Sequence, residues 1–577
     1  MASTDPSTPP DPSDPSSGSA SGSSSLPPSD PPSDSPSDPS SGSASGRSSK
    51  PPRRQRSPAA PGRVWLVALG IGVVVAVLAA LFAPARSTPA TGVAGDAPLA
   101  ADVERILGDR MVEVQGLSVA RFALDDPDSV EWAAAGTSDG AAPVGPNTPF
   151  ETGSVMKVIT GMLLADMVER GETSLDRTLA DVFPDVDFDD PEVADITLQE
   201  LATHHSGLRA TPDGEQAAVT FRSMLLISPY EGAISPVDGL SHTEAGPRDQ
   251  YVYSNHGFAT LGHALAEEAG GSYPDLVRER VLDPLGMDDT AVTAERPEGG
   301  ALSYYEPGVR VAPWTNTEYA PAGISTWSTV SDLVTLIDAV ADGTAPGSEA
   351  TDIVLEDVRI GGAPSEEEPA TEAGGDTELS MGLGWHVLDT PEHGEVTFHS
   401  GKVYGSSTTV LFDDERAVVL MGNSFTLQES QLALGLLGDE PGEPLSAPPS
   451  TGMSMALTLL PLLLPPVLLL ALMIRRRTLI TQRPLDRLRI VSLSLGAVAW
   501  LVYTQRGGVW TDLPTELSAV AAGMVATAVT VGAWHWRRAP TEAGRFRWLH
   551  ITVFVFSVLF SLTLLSVMGY ALFFAHQ

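Results

Sequence analysis

The sequence predicts a mixed α/β domain of the α+β kind: one antiparallel sheet flanked by helices and closed by strands from both ends of the domain, with a helical lobe inserted between them and five transmembrane helices outside. Three observations predict it. Alternating runs open and close the central region, at Gly116–Leu124 and Ser129–Ala135 and again at Gly384–Leu388, Val396–His399, Ser406–Phe412 and Ala417–Gly422. Helical patterns fill the stretch between them: Ser154–Arg170, with Gly171 as its stop, then Thr197–Thr203, His256–Ala269 and Ser331–Ala341. Long apolar segments lie before and after.

Taken in order, residues 1–62 are almost entirely Ser, Pro, Asp, Gly and Ala, and the run Asp14–Gly22 recurs at Asp38–Gly46. Such a segment has too little apolar surface to offset chain entropy, so a disordered cytoplasmic tail is expected. Residues 64–83 follow the basic group Arg53, Arg54, Arg56 and Arg63 and are apolar for about the length that spans a bilayer. An uncleaved anchor is favoured over a signal peptide, because a long polar head precedes it and the apolar run exceeds an ordinary h-region. Residues 100–440 are enough for one large core or two lobes. The acidic turns Asp125–Asp128 and Asp413–Glu415 each join two of the strands into hairpins.

Residues 453–577 hold four more apolar stretches, near 453–474, 490–504, 517–536 and 549–575. Arg475, Arg476, Arg477, Arg483, Arg487 and Arg489 separate the first two, and Arg537, Arg538, Arg545 and Arg547 the last two, whereas Thr504–Glu516 carries only Arg506. Positive charge stays cytoplasmic. The expected topology puts the amino end inside, and the central domain and the carboxyl terminus outside, in a multi-pass cell-membrane protein. No span carries a charged residue in its apolar core, which argues against a transporter or channel.

Of 73 Asp and Glu, six lie in residues 1–62 and four after 452, leaving 63 in residues 63–452 against 18 Lys and Arg. A surface that negative repels nucleic acid, so the expected partners are a small-molecule or peptide substrate and membrane lipid. A salty habitat and a Lys-poor genome explain the excess equally. The absence of cysteine excludes disulfides, thiol catalysis and thiolate metal sites. No cofactor is expected. His204-His205 invites a metal reading, but adjacent histidines on a helix diverge by about 100° and no H-E-x-x-H spacing occurs.

The chemistry centres on one of only three lysines in the chain, Lys50, Lys157 and Lys402. Lys157 stands three residues after Ser154, so both project from one helical face. A desolvated lysine beside a serine hydroxyl can take its proton, which suggests a serine acyl-transferase or hydrolase. A solvated lysine on an ordinary first turn is the bland alternative. Thr152-Gly153 place Ser154 at the helix mouth, where unpaired N–H groups favour an oxyanion. Tyr253-Ser254-Asn255 opens another helix. Tyr253 either shuttles a proton or merely packs; Asn255 either binds a substrate amide, orients Lys157 or caps the helix. His399-Ser400-Gly401 is expected to end a strand, with Gly401 admitting a substrate backbone to the edge.

Together these residues resemble the serine β-lactamase and penicillin-binding-protein superfamily, in its class C-like branch. Ser-x-x-Lys, Tyr-x-Asn and Lys/His-x-Gly occur in that order, and Ile196–Leu208, Tyr253–Phe258, Pro284–Thr290, Pro321–Ile324 and Gly382–Trp385 are similar to further family segments. The likeness covers about Ala101 to Ser424. It implies a β-lactamase/transpeptidase-like fold and an acyl-enzyme formed on Ser154 with help from Lys157 and Tyr253. Asn255, His399 and Gly401 would bind substrate, and the N–H groups of Ser154 and Lys402 would hold the oxyanion. His399 stands where class C β-lactamases usually have lysine, a departure shared with esterases and peptidases of the family. Lys402 would replace that charge, except that strand alternation points it away from His399. The substrate expected is a peptide amide or ester, D-Ala-type cell-wall peptides included; an esterase and a non-catalytic cell-wall sensor are the alternatives.

Overall fold

The computed structural model describes residues 61–82, 90–360, 377–445, 452–475, 485–507, 513–514, 516–541 and 546–574. The disorder expected for residues 1–62, and the basic group Arg53, Arg54 and Arg56, therefore fall outside the described residues but for the last two positions.

A nine-stranded antiparallel sheet forms the frame. Its strands are β1 (Val93–Gly95), β2 (Gly116–Ala123), β3 (Asp126–Gly136), β4 (Leu355–Ile360), β5 (Thr377–Met381), β6 (His386–Thr390), β7 (Gly394–Val403), β8 (Ser406–Phe412) and β9 (Arg416–Gly422). They lie in the order β1-β3-β2-β9-β8-β7-β6-β5-β4. The β9–β2 ladder, Arg416↔Ala123 through Gly422↔Leu117, joins the two ends of the domain, as the paired end strands predicted. Alternation divides each central strand between two cores. Ala417, Val419 and Met421 of β9 face the helices Met156–Glu169 and Val330–Ala341. Val418 and Leu420 face the helices Ala97–Leu107 and Glu429–Leu437.

Two strand boundaries differ from expectation. The first hairpin turns at Leu124-Asp125, so Asp126 already belongs to β3. His399-Ser400-Gly401 does not end a strand: β7 runs on to Val403 and turns at Tyr404-Gly405 into β8. Helix starts follow side-chain capping. Thr197 and Glu200 make a reciprocal capping box for Leu198–Ala202, and the Thr329 hydroxyl accepts from Asp332 N. Ser254, not Asn255, caps Asn255–Ala269, its hydroxyl accepting from Gly257 N.

Among the described residues, five helices are long and apolar enough to cross a membrane: Gly62–Leu81, Met455–Ile474, Arg487–Gln505, Glu516–His535 and Arg547–Ala571. Pro461, Pro465 and Pro466 lie inside the unbroken helix Gly452–Arg475. The Glu516–His535 helix is the most enclosed, with Ala521, Val525, Ala528 and Val531 buried. It meets the first helix where a Cβ on Gly72 would stand 2.6 Å from Gly523 O, so only glycine permits the crossing. Arg487 N donates to Pro540 O and its Nε to Trp536 O, which gathers these two helix ends on one side of the bundle.

Candidate active site

Ser154 sits in a single 3-10 turn, Gly153–Val155, that feeds the helix Met156–Glu169. Three backbones converge on it through glycine. Gly153 adopts φ +52°, and a Cβ there would stand 2.8 Å from Lys402 N. A Cβ on Gly401 would meet Thr152 O at 2.2 Å and Ser154 N at 2.8 Å, and one on Gly323 would meet Gly153 O at 1.9 Å. The turn is thus pressed against β7.

That strand presents an open edge here. β6 pairs with β7 only as far as Phe398, so Ser400–Val403 have no β6 neighbour. Across β7–β8 the two-residue turn makes Val403 and Ser406 a hydrogen-bonded pair. By alternation Gly401 bonds Thr408, and the N–H groups of Ser400 and Lys402 turn to the open edge. The N–H groups of Ser154 and Lys402 are thereby brought to one place.

The side chains converge as closely. Lys157 Nζ donates to Ser154 Oγ at 2.9 Å, to Asn255 Oδ1 at 2.6 Å and to Ala322 O at 2.7 Å. Tyr253 Oη donates to Ser154 Oγ at 2.5 Å, and its ring centroid is 4.7 Å from Lys157 Nζ. Lys157 is fully buried and Ser154 is 9% exposed. The solvated-lysine alternative is thereby excluded, and so is Asn255 as the cap: its Oδ1 holds Lys157 and its Nδ2 donates to Tyr230 Oη at 2.6 Å.

His399 and Lys402 differ from an exposed cationic pair. His399 is fully buried; Nδ1 bonds Ser400 O at 2.8 Å, and Nε2 is enclosed with no hydrogen-bond partner among the described residues. Burial, His386 at 5.0 Å between ring centroids and the Lys157 ammonium hold it well below the usual imidazole range, hence neutral. Lys402 turns away, donating to Leu427 O and to Glu429 Oε2, each at 2.9 Å. His204 packs against Tyr253, with ring centroids 4.4 Å apart and planes tilted by 38°, and accepts from Ser254 N through Nδ1. Burial and Lys157 keep it neutral as well.

Sequence reasoning missed three members of this shell: Tyr230, His386 and Glu151. No motif marks Tyr230 or His386. Glu151 precedes the serine by three residues, and a lone acid reads as surface. It is instead buried, accepting from Ser303 Oγ and Trp314 N, both at 2.7 Å. Burial pushes its carboxyl up to about 7, against the pull of those two donors. In the unfolded chain it ionises near 4.5, so folding holds its proton between pH 4.5 and 7. Its contribution to stability is full below that window and falls by about 3 kcal/mol as pH rises through it. Glu151→Gln removes the titration. Its thermal midpoint, followed by circular dichroism, is expected to gain on that of the wild type from pH 5 to 8; a constant difference would mean Glu151 titrates normally.

An antiparallel sheet closed by its two ends, a buried Ser-x-x-Lys turn under an open strand edge and a Tyr-x-Asn loop across from it define the penicillin-recognising class of fold. The Beta-lactamase family description matches residues 103–438, more than half of the chain. The chain belongs to that family. It is 25% identical over 305 residues to penicillin-binding protein 4* of Bacillus subtilis, covering 49% of this chain and 62% of that one. It is 30% identical over 183 residues to the D-alanyl-D-alanine-carboxypeptidase/endopeptidase AmpH of Escherichia coli, covering 31% and 46%. The chain thus spans about half the length of the curated relatives it matches. Among solved structures, a class C β-lactamase from Rhodobacter sphaeroides aligns at 20% identity and a TM-score of 0.44, over 58% of this chain and 95% of that one.

Proposed function

We propose that the chain is a serine hydrolase that cleaves a peptide amide or ester through an acyl-enzyme on Ser154, at the outer face of a cell membrane. One observation carries the reading: Ser154 Oγ receives hydrogen bonds from both Lys157 Nζ and Tyr253 Oη in a buried pocket. In the reactive form the Lys157–Tyr253 pair has given up one proton. Three oxygen acceptors around Nζ favour keeping the ammonium there. Tyr253 Oη is then the atom that takes the Ser154 proton, as a phenolate facing a cation. Oγ bonds to the substrate carbonyl carbon, and the carbonyl electron pair moves to its oxygen, between the N–H groups of Ser154 and Lys402. Collapse expels the amine or alcohol, which takes the proton from Tyr253 Oη. Water, deprotonated by the same group, then hydrolyses the ester.

The names of the relatives suggest D-Ala-ended wall peptides. The neutral, enclosed His399 and the ion pair of Lys402 with Glu429 favour a second reading, an esterase or amidase for substrates without a carboxylate beside the scissile bond. The basic segments after the second and fourth spans support the topology, with residues 100–440 extracytoplasmic. Intact-mass measurement of the purified chain after incubation with a penicillin tests the nucleophile. An adduct on wild type and none on Ser154→Ala is the expected result. If a penicillin and an activated ester both leave the wild-type mass unchanged, the acyl-enzyme reading fails and a non-catalytic sensor replaces it.

A further inference from the structure

The helix Gln216–Ser223 contains no fully buried residue. Short helices in water depend on burial of an apolar face, yet the large apolar side chains of this stretch stand outward, Phe221 53% and Met224 72% exposed.

The next three residues show what lies beside it. Leu225 and Ile227 form a buried cluster with Met568 and Ala571, against which Val502, Tyr503, Leu564 and Val567 pack. These belong to the carboxyl-terminal parts of Arg487–Gly507 and Arg547–Phe574, two of the candidate membrane helices. Leu226, between them, packs on the main core of the hydrolase domain. Its backbone is left-handed at φ 53°, a costly conformation for a bulky residue. That bend lets one residue face the domain while both its neighbours face the spans.

The contact also has a depth. The span Arg547–Ala571 has 25 residues, about 37 Å at 1.5 Å per residue, against a hydrocarbon core of about 30 Å. Residues 567–571 therefore lie at its outer interface in the topology proposed above, and Val502 and Tyr503 pack against the same cluster from a span of the same direction. Tyr503 and Tyr570 suit a headgroup layer. Little of the last span is buried against the rest of the protein, so the bilayer would cover most of it, beside the segment that carries Phe221 and Met224.

The segment leads straight into the site. Tyr230 accepts from Asn255, and Asn255 accepts from Lys157. Three residues after Ile227 the chain is thus two hydrogen bonds from the lysine.

We infer that Phe221 and Met224 insert into the outer-leaflet interface of the bilayer beside the last span, and that this seating on lipid positions the Tyr230–Asn255 wall of the active site. The inference rests on the proposed topology and on Ser154 chemistry.

The chain has no cysteine, so single-cysteine labelling of the full protein is direct. F221C, M224C and, in the exposed turn before β9, D414C would each carry a bimane in nanodiscs of phosphatidylcholine and phosphatidylglycerol with lipid doxylated near the headgroup. Quenching of the first two and not of D414C is expected. Equal quenching at all three positions, or none, overturns the insertion. A membrane-impermeant maleimide applied to intact cells reads the topology separately. If it labels D414C while 221 and 224 stay unquenched, the insertion alone fails. Labelling of D414C only after permeabilisation overturns the topology, and the outer-leaflet assignment with it. For the positioning claim, F221S/M224S in the same nanodiscs is expected to acylate about tenfold more slowly, less than the roughly 10²-fold that a misplacement of about 1 Å costs. Slow acylation with an unaltered circular-dichroism melt supports it; an unchanged rate confines the segment to anchoring and overturns the coupling.

Discussion

Lys157→Met is expected to slow acylation of Ser154 by roughly 10²–10⁴-fold, the range a positioned proton-transfer group contributes, because without its cation Tyr253 is no longer held as the phenolate that takes the serine proton. The side chains are similar in length, so the pocket stays filled while the charge and all three donors are lost. Ser154 Oγ, Asn255 Oδ1 and Ala322 O lose their shared partner. Ser154 Oγ keeps its bond from Tyr253 Oη; a hydrogen bond lost at each of the other two costs about 1–3 kcal/mol, but removing a buried ammonium relieves its desolvation. The expected change in thermal midpoint is therefore small beside the change in rate. Single-turnover acylation by an activated ester, read with a melt on the same sample, separates the two. A variant that melts like wild type and acylates at the wild-type rate would leave Lys157 a structural residue and Tyr253 the sole activator.

Much of this arrangement was legible in the sequence, and the parts that were not have physical reasons. Strands β2, β8 and β9 were readable because each alternates between two cores and ends at a turn. The short β1 at the sheet edge, and the strand pieces Phe150–Glu151, Ala291–Val292 and Thr326–Ser328, are too brief to show a period. β7 appeared to stop at His399 because Ser400-Gly401 looks like a breaker. Its glycine is there for the approach of the Ser154 turn, and the true stop is the Tyr404-Gly405 turn. Ser154, Lys157, Tyr253 and Asn255 were readable as motifs, and their hydrogen bonds bring them together. The motifs carried no information on which side chains would be submerged. Glu151 and His399 are both types that normally meet water, and only tertiary packing buries them. Tyr230 was hidden for another reason: it reaches the site from a loop whose own contacts run to the membrane helices.

Gly401→Ala should be among the damaging single-methyl changes in the domain, and the one that acts directly on the Ser154 turn. The added Cβ would stand 2.2 Å from Thr152 O, 2.8 Å from Ser154 N and 3.0 Å from Val155 N. All are backbone atoms of one turn, and that turn is pinned from behind, because a Cβ on Gly323 would meet Gly153 O at only 1.9 Å. No rotamer relieves the clash, so either β7 or the Ser154 turn must shift. Overpacking of this kind costs about 1–3 kcal/mol of stability. The cost in rate is expected to exceed it. The shift separates the N–H groups of Ser154 and Lys402, and loss of one oxyanion donor alone lowers turnover by about 10²–10³-fold. Gly145→Ala serves as the control, since its Cβ meets nothing within 4 Å and its φ is not positive; wild-type rate and an equal or slightly higher melting temperature are expected there. The decisive comparison for Gly401→Ala is between acylation rate and melting temperature. A fall in both, with rate falling further than lost folded protein explains, identifies the open edge of β7 as the oxyanion-binding surface. A variant that loses stability but keeps its rate per folded molecule would move that surface elsewhere and leave Gly401 with a packing role only.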